Sequence, residues 1–561
     1  MVAVALMLKP NLWRWNWWTL GAVFLAAIVS LPIIAVFGFA AQPAPDIWMH
    51  LLTTSFPFYL RNTFVLLIGV ACLVALIGVS TAWLVSMCNF PGRQIFEWLL
   101  LLPLAFPAYV IAYAYTDLLE YAGPVQSLLR LHFEWSSPAE YWFPNLRSIG
   151  GAIILMAFVL YPYVYLLARS AFLTQSVSTL EISRALGRTS WQTFFLVSLP
   201  NARPAIVVGI ALASMETLND YGTVDFFSVP TLTAGIIDVW LGMGSLAAGA
   251  QIATMLVFFV VLLILFEKAS RRNRRYYQQS SSRYKPLPTY SLNKWRGALA
   301  IVICGVPVVC GFLLPVLVLT RLSIIYFSES WTPHFQKLAA NSLTVSGMAA
   351  LLTVALALFI SYSRRLQDGK IIQISTTFAT LGYAIPGAVL AVGILTPLGF
   401  IDNAVDAFLQ KHFNLSSGLL FSGTVAAVVF AYIVRFLTIA VGQIESSLGG
   451  VALTVDMAAR TLGYSARSTM VRFHVPLISG GLFTALMIVF VDCMKELPAT
   501  LILRPFGFET LATHVFYFAS DEMLGQSALG SLTIVLVGVI PVVLLCHLVV
   551  RSRDKSPTRL R

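Results

Sequence analysis

The stretch Glu181-Ile-Ser-Arg-Ala-Leu-Gly187, with Leu199-Pro200 shortly after it, decides how the rest of the sequence is interpreted. It is polar and basic, and it lies between two long apolar segments. Ser178 and Glu181 have the spacing of a capping box, which predicts a short helix beginning there. Gly187 can end that helix in a left-handed turn, Ser190 can cap a second helix, and Pro200 can stop or bend the second helix. We therefore predict a helix–turn–helix on one membrane face, with no catalytic residue in it.

A second copy of this pattern lies in the other half of the chain. It reads Asp456-Met-Ala-Ala-Arg-Thr-Leu-Gly463, followed by Val475-Pro476. Gly463 follows Gly187 by 276 residues, and Pro476 follows Pro200 by the same number. A fixed offset of this kind indicates an internal repeat. A single copy would also fit an ordinary amphipathic surface helix, whereas two copies in register favour a repeated docking element.

The repeated pattern resembles the Glu-Ala-Ala loop of ABC importer permeases. In that family the loop forms coupling helices that fit into grooves on cytoplasmic ATPase subunits. The coupling residues that the resemblance implies are Glu181, Gly187 and Pro200 in the first copy, and Asp456, Ala458, Ala459, Gly463 and Pro476 in the second. The first copy departs from the family at Ile182 and Ser183, where alanines are usual. The second has Met457 at the glutamate position, with Asp456 beside it.

The composition is that of a membrane protein. Of 561 residues, 58% are hydrophobic and 11% are charged, whereas soluble proteins carry roughly 25% charged residues. Several apolar runs exceed the roughly 20 residues that cross a bilayer. We therefore predict an all-α polytopic membrane protein with about 12 transmembrane helices.

The predicted spans fall into two sets of six. They lie near 18–40, 60–88, 96–118, 149–173, a span beginning near 203, 246–267, 297–320, 341–363, 372–397, 418–440, 477–497 and 527–550. Six spans per half give both halves the same orientation, which makes a parallel repeat. The predicted organisation is a first permease half at 1–267, a basic cytoplasmic linker at 268–296 and a second half at 297–561. The resemblance implies the type I ABC importer permease fold.

The net charge is +12, and the basic residues are distributed as the predicted membrane topology requires. Lys and Arg lie mainly in alternate loops between spans, as the positive-inside rule expects, which places both termini in the cytoplasm. The densest basic cluster lies in the linker, where it favours topology or contact with anionic lipid over nucleic-acid binding. We therefore expect a multi-pass protein of the bacterial inner membrane, with lipid as a partner and no nucleic acid.

The sequence shows no catalytic or cofactor-binding pattern. Its Gly369-Lys370 pair lacks the rest of a phosphate-binding loop, so ATP would be bound and used by a partner subunit. The seven histidines have no metal-ligand spacing. We expect no enzyme activity, no cofactor bound by this chain and no certain metal site.

Carboxylates follow each docking pattern. They are Glu216, Asp220 and Asp225 in the first half, and Asp492, Glu496 and Glu509 in the second. Because carboxylates in or near a membrane span are costly, they usually mark a cavity or pathway, and their oxygens suit a hard cation such as ferric iron. The alternatives are that they cap helix ends, pair with Lys495 or Arg504, or orient a docked binding protein.

The run at 216–233 is similar to the permeases of ferric-iron ABC importers, which also fuse two six-span halves. The resemblance implies two cytoplasmic ATP-binding subunits and a periplasmic substrate-binding protein as partners. Permeases for thiamine, polyamines or oxyanions share the architecture, so those cargoes remain alternatives. A secondary transporter that works without ATP is a further alternative, opposed by the parallel repeat and the paired docking patterns.

Overall fold

The computed structural model describes the backbone of residues 17–175, 177–272, 289–367 and 369–554. These residues are almost entirely helical. Within them the strands are Cys88–Asn89 and Tyr290–Ser291, which pair in parallel. The predicted all-α polytopic class is confirmed. The N-terminal segment and the arginine cluster of the predicted linker lie outside the residues whose side chains are described.

Ten helices in the described ranges are long and apolar enough to cross a membrane. They are Trp17–Ala40, Phe56–Met87, Ile149–Leu173, Ser190–Asn219, Leu246–Leu265, Lys294–Ile325, Pro333–Leu366, Gly387–Phe413, Val425–Gly449 and Leu524–Val543. Two bent pairs of helices raise the number to 12 if each pair is one span. The count agrees with the predicted twelve.

Two predicted spans are interrupted at a proline. The helix Arg93–Ala105 is followed by Ala108–Phe133 after a bend of 94°. In the second half Lys370–Ala379 ends, and a new helix begins at Gly387. Pro107 and Pro386 each precede the new helix, and neither has an N–H to continue a helical ladder. The spans predicted near 96–118 and 372–397 are therefore each broken before a second helix begins.

The remaining described helices are shorter. They are Pro45–Thr53, Arg93–Leu99, Leu102–Ala105, Ala108–Leu119, Pro124–Phe133, Pro138–Glu140, Val177–Ala185, Gly222–Phe226, Leu232–Ile237, Asp238–Gly242, Phe327–Ser330, Lys370–Ala379, Gly382–Ala384, Leu453–Thr461, Ala466–Thr469, Met470–His474, Val475–Leu477, Ser479–Met494, Pro498–Leu503 and Leu511–Ser520. The span Ser190–Asn219 consists of Ser190–Thr193, Phe194–Ser198 and Leu199–Asn219. The stretches 194–198 and 470–474 have π-helical geometry.

The internal repeat is visible in matching hydrogen bonds. Asn62 donates from Nδ2 to the carbonyl of Pro230 over 3.0 Å, and Asn341 donates likewise to the carbonyl of Glu509 over 3.1 Å. Both bonds join residues 168 apart in sequence. Because the same long-range contact forms twice at equivalent positions, the two halves fold alike locally.

The chain packs into two units, each built from separated stretches of sequence. The first unit contains 1–45, 236–254 and 333–513, and the second contains 46–235, 255–332 and 514–561. These units differ from the predicted halves 1–267 and 297–561. The predicted halves describe the sequence repeat, and that division stays a prediction.

In the first unit, the span Trp17–Ala40 packs against spans from the second half of the sequence. Trp18 stacks on Phe359 with ring centroids 5.1 Å apart, and Thr19 Oγ1 donates to Gln367 Oε1 over 2.6 Å. The first span therefore belongs structurally to a unit whose core comes from the other half.

The second unit shows the reciprocal arrangement. Its core from the first half of the sequence is joined by the span Lys294–Ile325. Tyr115 donates its hydroxyl to the carbonyl of Cys310 over 2.8 Å, and the rings of Phe106 and Phe312 meet edge to face at 5.6 Å. Each unit is thus completed by a span from the opposite half of the sequence.

Candidate functional site

Residues 177–200, here called the first loop, fold as the predicted helix–turn–helix. The helix Val177–Ala185 ends at a turn in which Gly187 has φ of +73°, a left-handed conformation that favours glycine. The next helix is capped by Thr189 in a capping box with Gln192, one residue before the predicted cap Ser190. The predicted capping role of Ser178 falls on a side chain outside those the structure describes.

Pro200 does not stop a helix. It is the second residue of Leu199–Asn219, which directly follows the π-helical turn Phe194–Ser198. Residues 190–219 therefore run as one continuous candidate span, which begins earlier than the predicted start near 203. The first loop thus leads directly into a membrane helix.

The first loop rests on an aromatic cluster and a pair of hydroxyl groups. The ring of Trp83 lies 4.8 Å from that of Phe194 and 5.4 Å from that of Phe172. Ser183 Oγ and Thr193 Oγ1 are buried and lie 2.9 Å apart, which joins the loop's two helices. Among the side chains that the structure describes here, the contacts that hold this loop in place are uncharged.

The outer face of the first loop is exposed. Glu181 and Ile182 lie on it, and within the described residues Glu181 makes no ion pair. Leu186, Trp191 and Phe195 are also exposed, each by more than half. An apolar face with one carboxylate suits docking to another protein.

Residues 453–476, here called the second loop, repeat the same backbone. The helix Leu453–Thr461 ends before Gly463, whose φ is +80°, and Ser465 accepts a hydrogen bond from the N–H of Ser468 over 3.3 Å. Pro476 lies in the first turn of Val475–Leu477, as Pro200 does in its helix. The two predicted glycine turns are therefore confirmed.

Residues 456–459 of the second loop differ in their exposure to solvent. Met457 and Ala458 are exposed, Ala459 is buried, and Asp456 is half-buried. Met457 thus occupies the surface position that Glu181 has in the first loop. Asp456, which lies beside Met457 in sequence, does not replace that carboxylate on the surface.

Asp456 instead faces inward, where it meets two partners. Its Oδ2 accepts from Arg365 Nη2 over 2.7 Å, and its Oδ1 lies 2.8 Å from Nε2 of the fully buried His474. Burial opposes ionisation of Asp456, but hydrogen bonds from Arg365 and His474 outweigh it and hold its pKa below the ordinary 3.8. The sequence did not indicate Arg365 or His474 as partners of Asp456. They lie 91 and 18 residues from it, and neither separation is a recognisable spacing.

The second loop also differs from the first in how it joins the helix that follows it. Between Ala466–Leu477 and Ser479–Met494 the chain bends by 79°. The glycines Gly480 and Gly481 follow this bend at once, and glycine is a poor helix former. The span Ser190–Asn219, which continues from the first loop, has no such break.

The carboxylates of the predicted path lie in both units: Glu216, Asp220 and Asp225 in the second, and Asp492, Glu496 and Glu509 in the first. Asp220 caps the helix Gly222–Phe226, since its Oδ1 accepts from the N–H of Thr223 over 2.8 Å and its Oδ2 from the hydroxyl over 3.0 Å. Capping was one of the alternatives that the sequence left open. A role of Asp220 in transport stays a prediction.

Glu496 is the most enclosed of the three path carboxylates in the second half, Asp492, Glu496 and Glu509. Its Oε1 accepts from Arg435 Nη1 over 2.6 Å and from the N–H of Ala499 over 3.1 Å, and Oε2 accepts from the N–H of Thr500. The side chain therefore caps the helix Pro498–Leu503 and forms a buried ion pair. Arg435, like Arg365 and His474, was not predicted from the sequence.

The other two second-half carboxylates have the partners that the sequence suggested as an alternative. Asp492 pairs with Lys495 over 2.8 Å, and Glu509 pairs with Arg504 over 3.0 Å. These ion pairs are partly exposed. A role of these carboxylates in the path also stays a prediction.

Comparison with known proteins finds permeases of transport systems. A family described as the binding-protein-dependent transport system inner membrane component matches residues 74–275. The chain is 24% identical over 494 residues to the Fe(3+)-transport system permease protein FbpB 2 of Haemophilus influenzae, covering 87% of this chain and 89% of that protein.

Two further relatives from Escherichia coli match a shorter region. The molybdenum transport system permease protein ModB is 30% identical over 152 residues, covering 27% of this chain and 63% of that protein. The sulfate transport system permease protein CysW is 31% identical over 154 residues, covering 27% of this chain and 49% of that protein.

Proposed function

This chain belongs to the permeases of binding-protein-dependent ABC importers, and from that premise we propose that it is the transmembrane subunit of an importer for ferric iron. It is a multi-pass protein of the bacterial inner membrane. We place both termini in the cytoplasm because of the distribution of basic residues.

The observation that supports this proposal best is the pair of matching loops. Each has a nine-residue helix, a glycine with positive φ, a hydroxyl-capped turn and a proline at the start of the next helix. Two equivalent docking elements suit two ATP-binding subunits. In the proposed importer those partners bind and hydrolyse ATP, while this chain binds no cofactor and catalyses no reaction itself.

The loops also provide a route for movement. Leu199–Asn219 continues from the first loop and Ser479–Met494 from the second. When the ATP-binding subunits move, the loops follow them and displace these helices, which changes access to the transport path. A periplasmic binding protein would deliver the cargo to the outer side, where it would meet the acidic path residues.

Ferric iron is favoured because the iron-permease relative matches 87% of the chain, whereas the molybdenum and sulfate relatives each match 27%. Carboxylate oxygens also suit a hard cation. An oxyanion is the second candidate, because those two relatives are more similar in the region they do match. Thiamine and polyamines are further alternatives within the same class, and transport without ATP is a different class.

The test is ATP hydrolysis in proteoliposomes that hold this chain with its ATP-binding subunits. A ferric-loaded binding protein is compared with empty, thiamine-loaded, polyamine-loaded and oxyanion-loaded ones. We expect the ferric-loaded form alone to stimulate hydrolysis. Stimulation by another form would overturn iron but keep the importer class, and failure of any ATPase to associate would overturn the class.

A further inference from the structure

Two charged side chains and a histidine, largely shielded from solvent, meet on the inner face of the second loop. Asp456, in the first turn of Leu453–Thr461, contacts Arg365 through Oδ2 and His474 through Oδ1, at 2.7 and 2.8 Å. His474 is fully buried, and the side chains of Arg365 and Asp456 are 11% and 13% exposed. We call Arg365, Asp456 and His474 the charged node.

Arg365 connects the second loop to the end of a neighbouring span. It lies at the end of Pro333–Leu366 and donates to the carbonyl of Leu448, and from Nη2 to the carbonyl of Val451 over 2.8 Å. Leu448 lies in the last turn of Val425–Gly449 and Val451 lies two residues beyond its end, and the C-terminal end of a helix favours a cation. One guanidinium therefore joins two spans and the docking helix.

His474 connects the same docking helix to the segment that returns to the membrane. It lies in the π-helical turn just before Pro476. The ring of Tyr362 lies 5.4 Å from that of His474, and its hydroxyl donates to the carbonyl of Ala466 over 3.0 Å. The charged node and Tyr362 therefore hold both ends of the second loop.

The first loop has no charged residue at the corresponding positions. The repeat places Ser86 where the second half has Arg365, Leu180 where it has Asp456, and Ser198 where it has His474. Leu180 is buried, and within the described residues the hydroxyls of Ser86 and Ser198 have no hydrogen-bond partner. The charged node is thus a feature of one loop, absent from its repeat.

We propose that Arg365, Asp456 and His474 are positioning residues that fix the second loop in the orientation in which an ATP-binding subunit meets it, which rests on the proposed function. A nine-residue helix is too short to be stable alone. Removing one partner of a buried ion pair leaves an uncompensated charge, so alternative orientations of this loop are strongly disfavoured. A loop held in one orientation transmits a displacement to the helix that follows it.

The first test compares Asp456→Asn with a matched control, Glu445→Gln. Glu445 pairs with Arg364 over 2.9 Å and so joins the same two spans, but it does not reach the docking helix. Hydrogen exchange is measured on the purified full-length chain in detergent. We expect roughly tenfold faster exchange of the amides of Leu453–Thr461 in Asp456→Asn, with wild-type exchange in Val177–Ala185. Glu445→Gln should leave both helices at wild-type rates.

The second test measures function in the complete complex with ATP-binding subunits and binding protein. We expect Asp456→Asn to hydrolyse ATP but to transport several-fold less cargo per ATP, and Asp456→Glu to recover part of the loss. A general folding defect would lower both activities together, so the ratio identifies a positioning role.

Each result decides the proposal. Unchanged exchange in Leu453–Thr461 would overturn the charged node as the element that holds the loop. Faster exchange with a normal ratio of transport to hydrolysis would overturn its role in coupling. If wild-type chain binds no ATPase, the proposed function fails, while the exchange comparison still decides whether the node holds the loop.

Discussion

The first and second loops have the same backbone conformation, but aromatic packing holds the first in place and ion pairing holds the second. Beneath the first, Trp83 packs against Phe172 and Phe194. Beneath the second, Asp456 bridges Arg365 and His474. In both, a glycine with positive φ follows the first helix of the loop, Val177–Ala185 or Leu453–Thr461. The comparison shows that the turn, rather than the contacts beneath it, is what the two loops have in common.

The aromatic contacts of the first loop and the ion pairs of the second, here called the two anchors, should respond differently to substitution. Aromatic packing is non-directional and tolerates a similar side chain, whereas a buried ion pair depends on the geometry of every partner. We therefore expect the first loop to be sensitive to lost volume and the second to lost charge. The outer faces differ as well, since Glu181 of the first loop corresponds to Met457 of the second.

The largest effect should come from the shared turn. In Gly187→Pro and Gly463→Pro the proline ring fixes φ near −65°, which the observed +73° and +80° exclude. We expect either substitution to abolish ATP-driven uptake in proteoliposomes while the chain still inserts in the membrane. No atom lies within 4 Å of a Cβ built at either glycine, so the defect would come from the backbone alone.

The matched controls are Gly187→Ala and Gly463→Ala. Alanine fits the open space and costs about 1 kcal/mol in the left-handed region, so most uptake should remain. Normal uptake in both proline variants would contradict the assignment of these loops to ATPase docking.

A smaller effect should separate the two anchors. Trp83→Ala removes the centre of the aromatic cluster, and such a truncation of a buried aromatic ring costs about 3–5 kcal/mol. We expect faster hydrogen exchange in Val177–Ala185 and no change in Leu453–Thr461. Trp83→Phe should retain most of the protection. Equal loosening of both helices in Trp83→Ala would show that the anchors are not separate.

The smallest effect should appear with pH. Because the pKa of Asp456 is depressed below 3.8, its ionised form stabilises the second loop above that value, and the stabilisation is lost as pH falls through the folded pKa. After correction for intrinsic exchange, Leu453–Thr461 should lose protection relative to Val177–Ala185 as pH falls below 3.8, the ordinary value for an aspartate, and through the lower folded pKa. The Asp456→Asn variant should lack this step, and its presence there would assign the step to another group.

Local patterns in the sequence predicted much of this molecule. Gly187 and Gly463 were found at their turns because a left-handed residue after a short helix has a recognisable signature. Pro107 and Pro386 fall within predicted spans, but hydropathy alone does not show that the helix breaks before each of them. The cap was placed at Ser190 rather than Thr189, an error of one residue between two hydroxyl side chains.

The candidate site was predicted less completely. The positions of both loops were predicted, but Arg365 was not, because it lies 91 residues from Asp456 in sequence. Asp220 and Glu496 were recognised as costly carboxylates, and the structure adds the caps and the ion pair with Arg435 that stabilise them. Such partners depend on how helices pack and leave no fixed spacing in the chain.

The sequence by itself determined the membrane class, the repeat and the position of both loops, because hydropathy, periodicity and turn chemistry act between near neighbours. Only the tertiary structure decided that each unit takes a span from the opposite half, and that one loop rests on aromatic rings while its repeat rests on charges. The physical reason is that burial and ion pairing are set by residues far apart in the chain, which meet only when the helices pack.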